Sequence, residues 1–65
     1  MKLTKLNMAR WIVTALHNRP ALVAADDPRA VRLAKSGTVA GLSRSFEMAV
    51  RAIRSGKHAH LVEDF

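Results

Sequence analysis

Apolar positions in the last third of the chain recur at helical spacing. Across residues 43–57, Phe46, Ala49, Val50 and Ile53 fall at i, i+3, i+4 and i+7, which stacks them on one side of a helix. Arg44, Glu47, Arg51 and Arg54 fall at i, i+3, i+7 and i+10, on the opposite side. Ser43 or Ser45 can cap the start, because a serine oxygen accepts from an orphan N–H of the first turn. Gly56 can end the helix in the left-handed conformation. The expected element is amphipathic and carries three guanidinium groups against one carboxylate on its outer face.

Upstream, residues 1–18 read as a first helix that starts after Thr4. Leu6, Ala9, Val13 and Leu16 form one line, and Met8, Ile12 and Ala15 sit beside it. So wide an arc makes this helix the main core partner of the last one. Asn7, Arg10, Thr14 and His17 take the narrow polar side, with Trp11 at the border. Residues 11–14 are also aromatic and β-branched, which is strand chemistry. Asn18, Arg19 and Pro20 break the element, since proline cannot continue a helix and displaces the residue before it.

Residues 21–25 are a short apolar run, either a helical turn or an extended bridge. Asp26, Asp27 and Pro28 then mark a helix start: an aspartate caps and proline takes the first helical position. The second helix is expected from Pro28 to about Lys35, with Ala30, Leu33 and Ala34 inward and Arg29 and Arg32 outward. Gly37 and Gly41 bracket a connector over residues 38–42. After Gly56, residues 58–65 read as a short strand, a helical extension or a flexible tail. The expected fold is all-α, a single small three-helix domain. The alternative is α+β, with short strands at residues 11–14, 21–25 and 61–62.

Sixty-five residues hold one small domain with little core to spare. The chain has no cysteine, so neither disulfides nor thiolate metal sites support it. Regular helix packing or homodimerisation is the expected support. Hydrophobic residues make up 49% of the chain, far above a disordered basic tail, so the chain should fold. Eleven Lys and Arg against five Asp and Glu give a net charge of +6, which favours a polyanion partner. No run of about 18 apolar residues is present to cross a membrane. Met8 to Leu16 is a poor signal core, because Arg10 interrupts it. A cytoplasmic place is expected.

The main chemical clue is the basic set Arg44, Arg51, Arg54 and Lys57, with Arg29, Arg32 and Lys35 on the preceding helix. Phosphates carry dense negative charge, and each one neutralised releases counterions. A capped short helix, a glycine-containing turn and a basic amphipathic helix resemble helix-turn-helix DNA-binding proteins over residues 28–57. The resemblance implies that the last helix lies in the major groove, with residues near its N-terminus on the bases. Those are Arg44, Glu47 and Arg51, with Ser43 or Ser45 on phosphate. The expected connector, residues 37–42, is longer than that family's usual turn of three or four residues. The same two helices are also similar to those of ribbon–helix–helix repressors. That likeness would make residues 21–25 the ribbon, although they carry no polar or basic side chain to read bases.

The expected function is a small DNA-binding regulator without catalytic activity or cofactor. The competing class is a phage- or plasmid-type interaction protein that docks on a host protein and modulates it. Trp11 and whichever of Met8, Ile12 and Met48 are exposed would then be the anchors. Aromatics at 5% leave no alternation of rings and cations such as single-strand binders use. His58 and His60 with Glu63 or Asp64 could ligate zinc, but two histidines in a tail are expected to be incidental. No nucleophile–base pair or phosphate-cradling glycine loop is apparent. The first helix could lie on a membrane, but the core needs its apolar face.

Overall fold

The computed structural model describes residues 3–65. It contains three α-helices, α1 (Lys5–Leu16), α2 (Pro28–Ser36) and α3 (Val39–Arg54), and a 3-10 turn at Ala59–Val62. No strand occurs among the described residues, so the fold is the expected small three-helix domain. The α+β alternative fails at each of its segments. Residues 11–14 are helical, residues 21–25 form an irregular bridge, and residues 61–62 belong to the 3-10 turn. No helix among the described residues is long and apolar enough to cross a membrane.

Thr4 caps α1 through its hydroxyl, which accepts from the Asn7 N–H at 3.1 Å. The helix ends without glycine. Asn18 takes the left-handed conformation at φ 48°. Its N–H donates to the Ala15 carbonyl and the Arg19 N–H donates to the Thr14 carbonyl. That pair of bonds is a Schellman cap, which asparagine can form in place of glycine.

The polar side of α1 is not a solvent face. The Arg10 Nε donates to the Val23 carbonyl at 3.0 Å, and its Nη1 donates to the Asn7 side chain. The Thr14 hydroxyl donates to the Arg10 carbonyl at 2.7 Å and accepts from the Val23 N–H at 3.1 Å. Thr14 is only 1% exposed, so its hydroxyl needs both partners. Together these bonds strap the bridge between α1 and α2 onto α1. Val23 is thereby held in the core beside Ala9, Val13 and Ala30.

A second cluster forms on the other side of α1. There Met8, Trp11 and Ile12 meet Leu42, Phe46, Ala49, Val50 and Ile53 of α3, and Val62 of the 3-10 turn. Leu33 of α2 packs against both clusters. Helix α1 is thus the centre, and α2 and α3 each pack mainly on it. Met8 meets Ser43 at one end, and Ala15 lies beside Ala52 at the other, so α1 and α3 run in the same sense.

Residues 58–65 are not a free tail. Val62 is 1% exposed, and the Phe65 ring meets Trp11 edge-on at 5.1 Å and Phe46 at 6.0 Å. These contacts add apolar cover over the central tryptophan.

Candidate nucleic-acid interface

The basic helix begins one turn earlier than its serines suggest. Asp27 caps α2 by accepting from the Arg29 N–H at 2.9 Å. The helix stops at Gly37, whose N–H closes onto the Leu33 carbonyl at 2.9 Å. Thr38 then caps α3, accepting from the Gly41 N–H at 3.1 Å. Only Gly37 and Thr38 lie between the two helices. The expected connector over residues 38–42 is therefore wrong. Threonine is a cap in its own right, and Gly41 is absorbed into the first turn.

Gly37 is held there by close approach. A Cβ would lie 2.9 Å from the Leu42 Cγ and 3.1 Å from the Leu33 carbonyl oxygen. The other end of α3 is a second correction. Gly56 is not left-handed, and no described glycine has positive φ. The helix closes through Ser55, and the chain continues in right-handed turns toward the 3-10 turn.

The faces of α3 are as the spacing requires. Leu42, Phe46, Ala49, Val50 and Ile53 are buried, while Arg44, Glu47, Arg51 and Arg54 are exposed. The Arg54 Nη2 donates to the Phe65 carbonyl at 3.4 Å, a long bond to a neutral acceptor. Among the described residues the one ion pair is Arg29 with Asp27 at 3.2 Å. Arg44 and Arg51 therefore have no carboxylate on them, although Glu47 lies between them along the same face. Seven residues separate the two arginines, about 10 Å along the axis.

Several expected roles move. With α3 starting at Val39, Arg44 is no longer at the N-terminus. Arg44, Glu47 and Arg51 run along the middle of the helix rather than its tip. The base-reading position that the helix-turn-helix likeness implies is filled instead by Val39 and Ala40. Ser43 is half-buried and its hydroxyl donates to the Met8 Sδ at 3.5 Å, so it is already engaged within the chain. Arg29 is held by Asp27, and its guanidinium lowers the Asp27 carboxyl from its ordinary value. Arg32, Lys35 and Lys57 are exposed and unpaired. The ribbon of the second likeness is absent, because residues 21–25 do not form a strand.

The chain matches no protein-family model, no curated protein and no solved structure.

The expected anchors also need correction. Met8, Trp11 and Ile12 lie in the core, with Trp11 4% exposed, so none of the three projects as an anchor. Met48 alone of the four is exposed, at 65%. It borders an apolar groove between α1 and α3 that the sequence reading did not anticipate. Its signal was present in the small residues Ser45, Ala49 and Ala52 beside Met48, which leave α3 thin on that side. His58 and His60 meet edge-on with ring centroids 6.2 Å apart. Among the described residues no group of three His, Asp or Glu is placed to hold a metal ion.

Proposed function

We propose that this chain is a small, non-catalytic DNA-binding protein that lays the outer face of α3 along the phosphate backbone. The observation that supports the reading is the state of Arg44 and Arg51. Both are exposed on one helix face and neither is neutralised from within the chain. Four of the five carboxylates belong to segments other than α3, and the fifth, Glu47, makes no ion pair. Arginines about 10 Å apart on a rigid helix reach separate phosphates rather than sharing one. Because the tip of α3 carries no base-reading side chain, the reading favours backbone contact over sequence recognition.

The test is fluorescence anisotropy of a labelled duplex of about 20 base pairs, titrated with the chain at a series of salt concentrations. Affinity should fall steeply with salt. Arg44→Ala and Arg51→Ala should each lower the slope of log affinity against log salt by about one. An affinity that ignores salt, or slopes unchanged by both substitutions, would sink the reading.

A further inference from the structure

We infer that the groove between α1 and α3 is a docking site for an acidic amphipathic helix of a partner protein. Its floor is made by Ile12, Ala15 and Ala49, and its sides by Leu16, Met48 and Ala52. Leu16 and Met48 are 74% and 65% exposed, large apolar side chains that the fold itself leaves uncovered. The groove lies along the seam of two helices that run in the same sense, and a helix presenting apolar residues at i, i+3, i+4 and i+7 fits such a seam.

Charge selects the occupant. No Asp or Glu lines the groove, nor the shallow hollow that continues it past Ala15 and Ala52. The border is cationic. Arg44 lies one turn before Met48, Arg51 one turn after it and next to Ala52, and Arg19 lines the continuing hollow. A second copy of this chain would bring its own Arg19, Arg44 and Arg51 to the same seam, with no carboxylate in either groove to answer them. Duplex DNA is excluded from the floor, because an apolar surface gives phosphates nothing to bond. A helix with an apolar stripe and flanking carboxylates satisfies both the floor and the border. This inference stands apart from the DNA reading, although both use Arg44 and Arg51.

The probe is a synthetic 18-residue peptide with leucines at helical spacing and glutamates flanking them. It is titrated into the isotope-labelled full chain and followed by amide chemical shifts. Saturable shifts should centre on Ile12, Ala15, Leu16, Met48 and Ala52. A scrambled peptide of the same composition, and one with lysine for glutamate, should bind at least tenfold more weakly. Met48→Glu should cost at least tenfold as well. Ala52→Arg is the sharper variant, because it blocks the groove while adding positive charge. Both positions are exposed, so circular dichroism should show the fold intact.

Ala52→Arg should weaken the peptide at least tenfold. Unchanged or tighter binding would mean that charge alone attracts the peptide, and the inference falls. It falls equally if the scrambled peptide binds as well, or if the shifts collect on Arg44, Arg51 and Arg54 without the floor residues. A free chain that sediments as a dimer, and that Met48→Glu converts to monomer, would give the groove to a second copy. Peptide binding by a chain that ignores duplex DNA would keep this inference and remove only the DNA reading.

Discussion

Helices α1 and α3 are both amphipathic in sequence, yet they hold opposite positions in the fold. In α1, Met8, Ala9 and four consecutive residues from Trp11 to Thr14 are all buried, so nearly every direction around the helix meets protein. In α3 the buried residues keep to one stripe, and the arginines opposite stay in water. The width of the apolar arc marks the difference. A wide arc serves two neighbours and a narrow one serves a single neighbour. Polar side chains follow suit. On α1 they tie the backbone of a strap, whereas on α3 Arg44, Glu47 and Arg51 stay in water.

The largest expected effect tests this contrast directly. Trp11→Ala removes a 4%-exposed indole from the cluster that joins α1, α3 and the 3-10 turn. Such truncations cost about 3–5 kcal/mol. A domain of this size is stable by about 3–10 kcal/mol, so the variant should lose a large share of its stability and its urea midpoint should fall steeply. Met48→Ala, on the open side of α3, should change stability by about 0.5 kcal/mol or less. Urea titrations of the two variants measure both. Similar losses would mean that α3 is as enclosed as α1, by a partner copy or otherwise.

The contrast was largely legible before the structure, and its gaps have physical causes. The buried stripe of Phe46, Ala49, Val50 and Ile53 follows from spacing alone, because a 3.6-residue period leaves no other side for them. The start at Pro28 follows from Asp27, whose capping bond depends only on local geometry. Sequence places the start of α3 too late because two capping serines and a capping threonine compete over residues 38–45. What settles it is tertiary: Leu42 must be helical to reach the core over Gly37. The role of Arg10 was equally hidden. A lone cation on a mostly apolar helix looks solvated until its acceptor, the Val23 carbonyl thirteen residues away, is in place. In the candidate interface, the exposed arginines were legible from the helical period. The withdrawal of Ser43 and Arg29 was not, because their partners are Met8 and the capping Asp27.

Two arginines sharpen the comparison at smaller magnitude. Arg10→Ala should loosen the strap by removing the donor to the half-buried Val23 carbonyl, at a cost of about 1–2 kcal/mol. Its effect on duplex affinity should be no more than that of losing one distant charge. Arg51→Ala should do the reverse, leaving the melting temperature within error and lowering the salt slope by about one. Thermal melts and salt-dependent binding on the same two proteins would separate a structural arginine from a ligand-facing one. A crossed result, with Arg51 stabilising and Arg10 binding, would break the assignment of roles to the two helices.

Helix α2 lies between these cases, since Arg29 is exposed yet already paired with Asp27. The guanidinium of Arg29 draws the Asp27 carboxyl below its ordinary value, and the two backbone N–H groups beyond the cap act in the same direction. A carboxylate depressed in the folded state adds stability above its unfolded pKa and loses it as pH falls through the lower folded value. The melting temperature should therefore decline between about pH 5 and pH 2, by a small amount because the pair is open to solvent. Asp27→Asn keeps an oxygen to cap the helix but removes the charge, so it separates the two contributions. The variant should retain α2 and show a flatter acid profile than the parent chain. High salt should bring the two profiles together, because an exposed pair is screened. Parallel profiles at low salt would assign the whole of the Asp27 contribution to the cap, and Arg29 would then join Arg32 and Lys35 as a cation free to meet a polyanion.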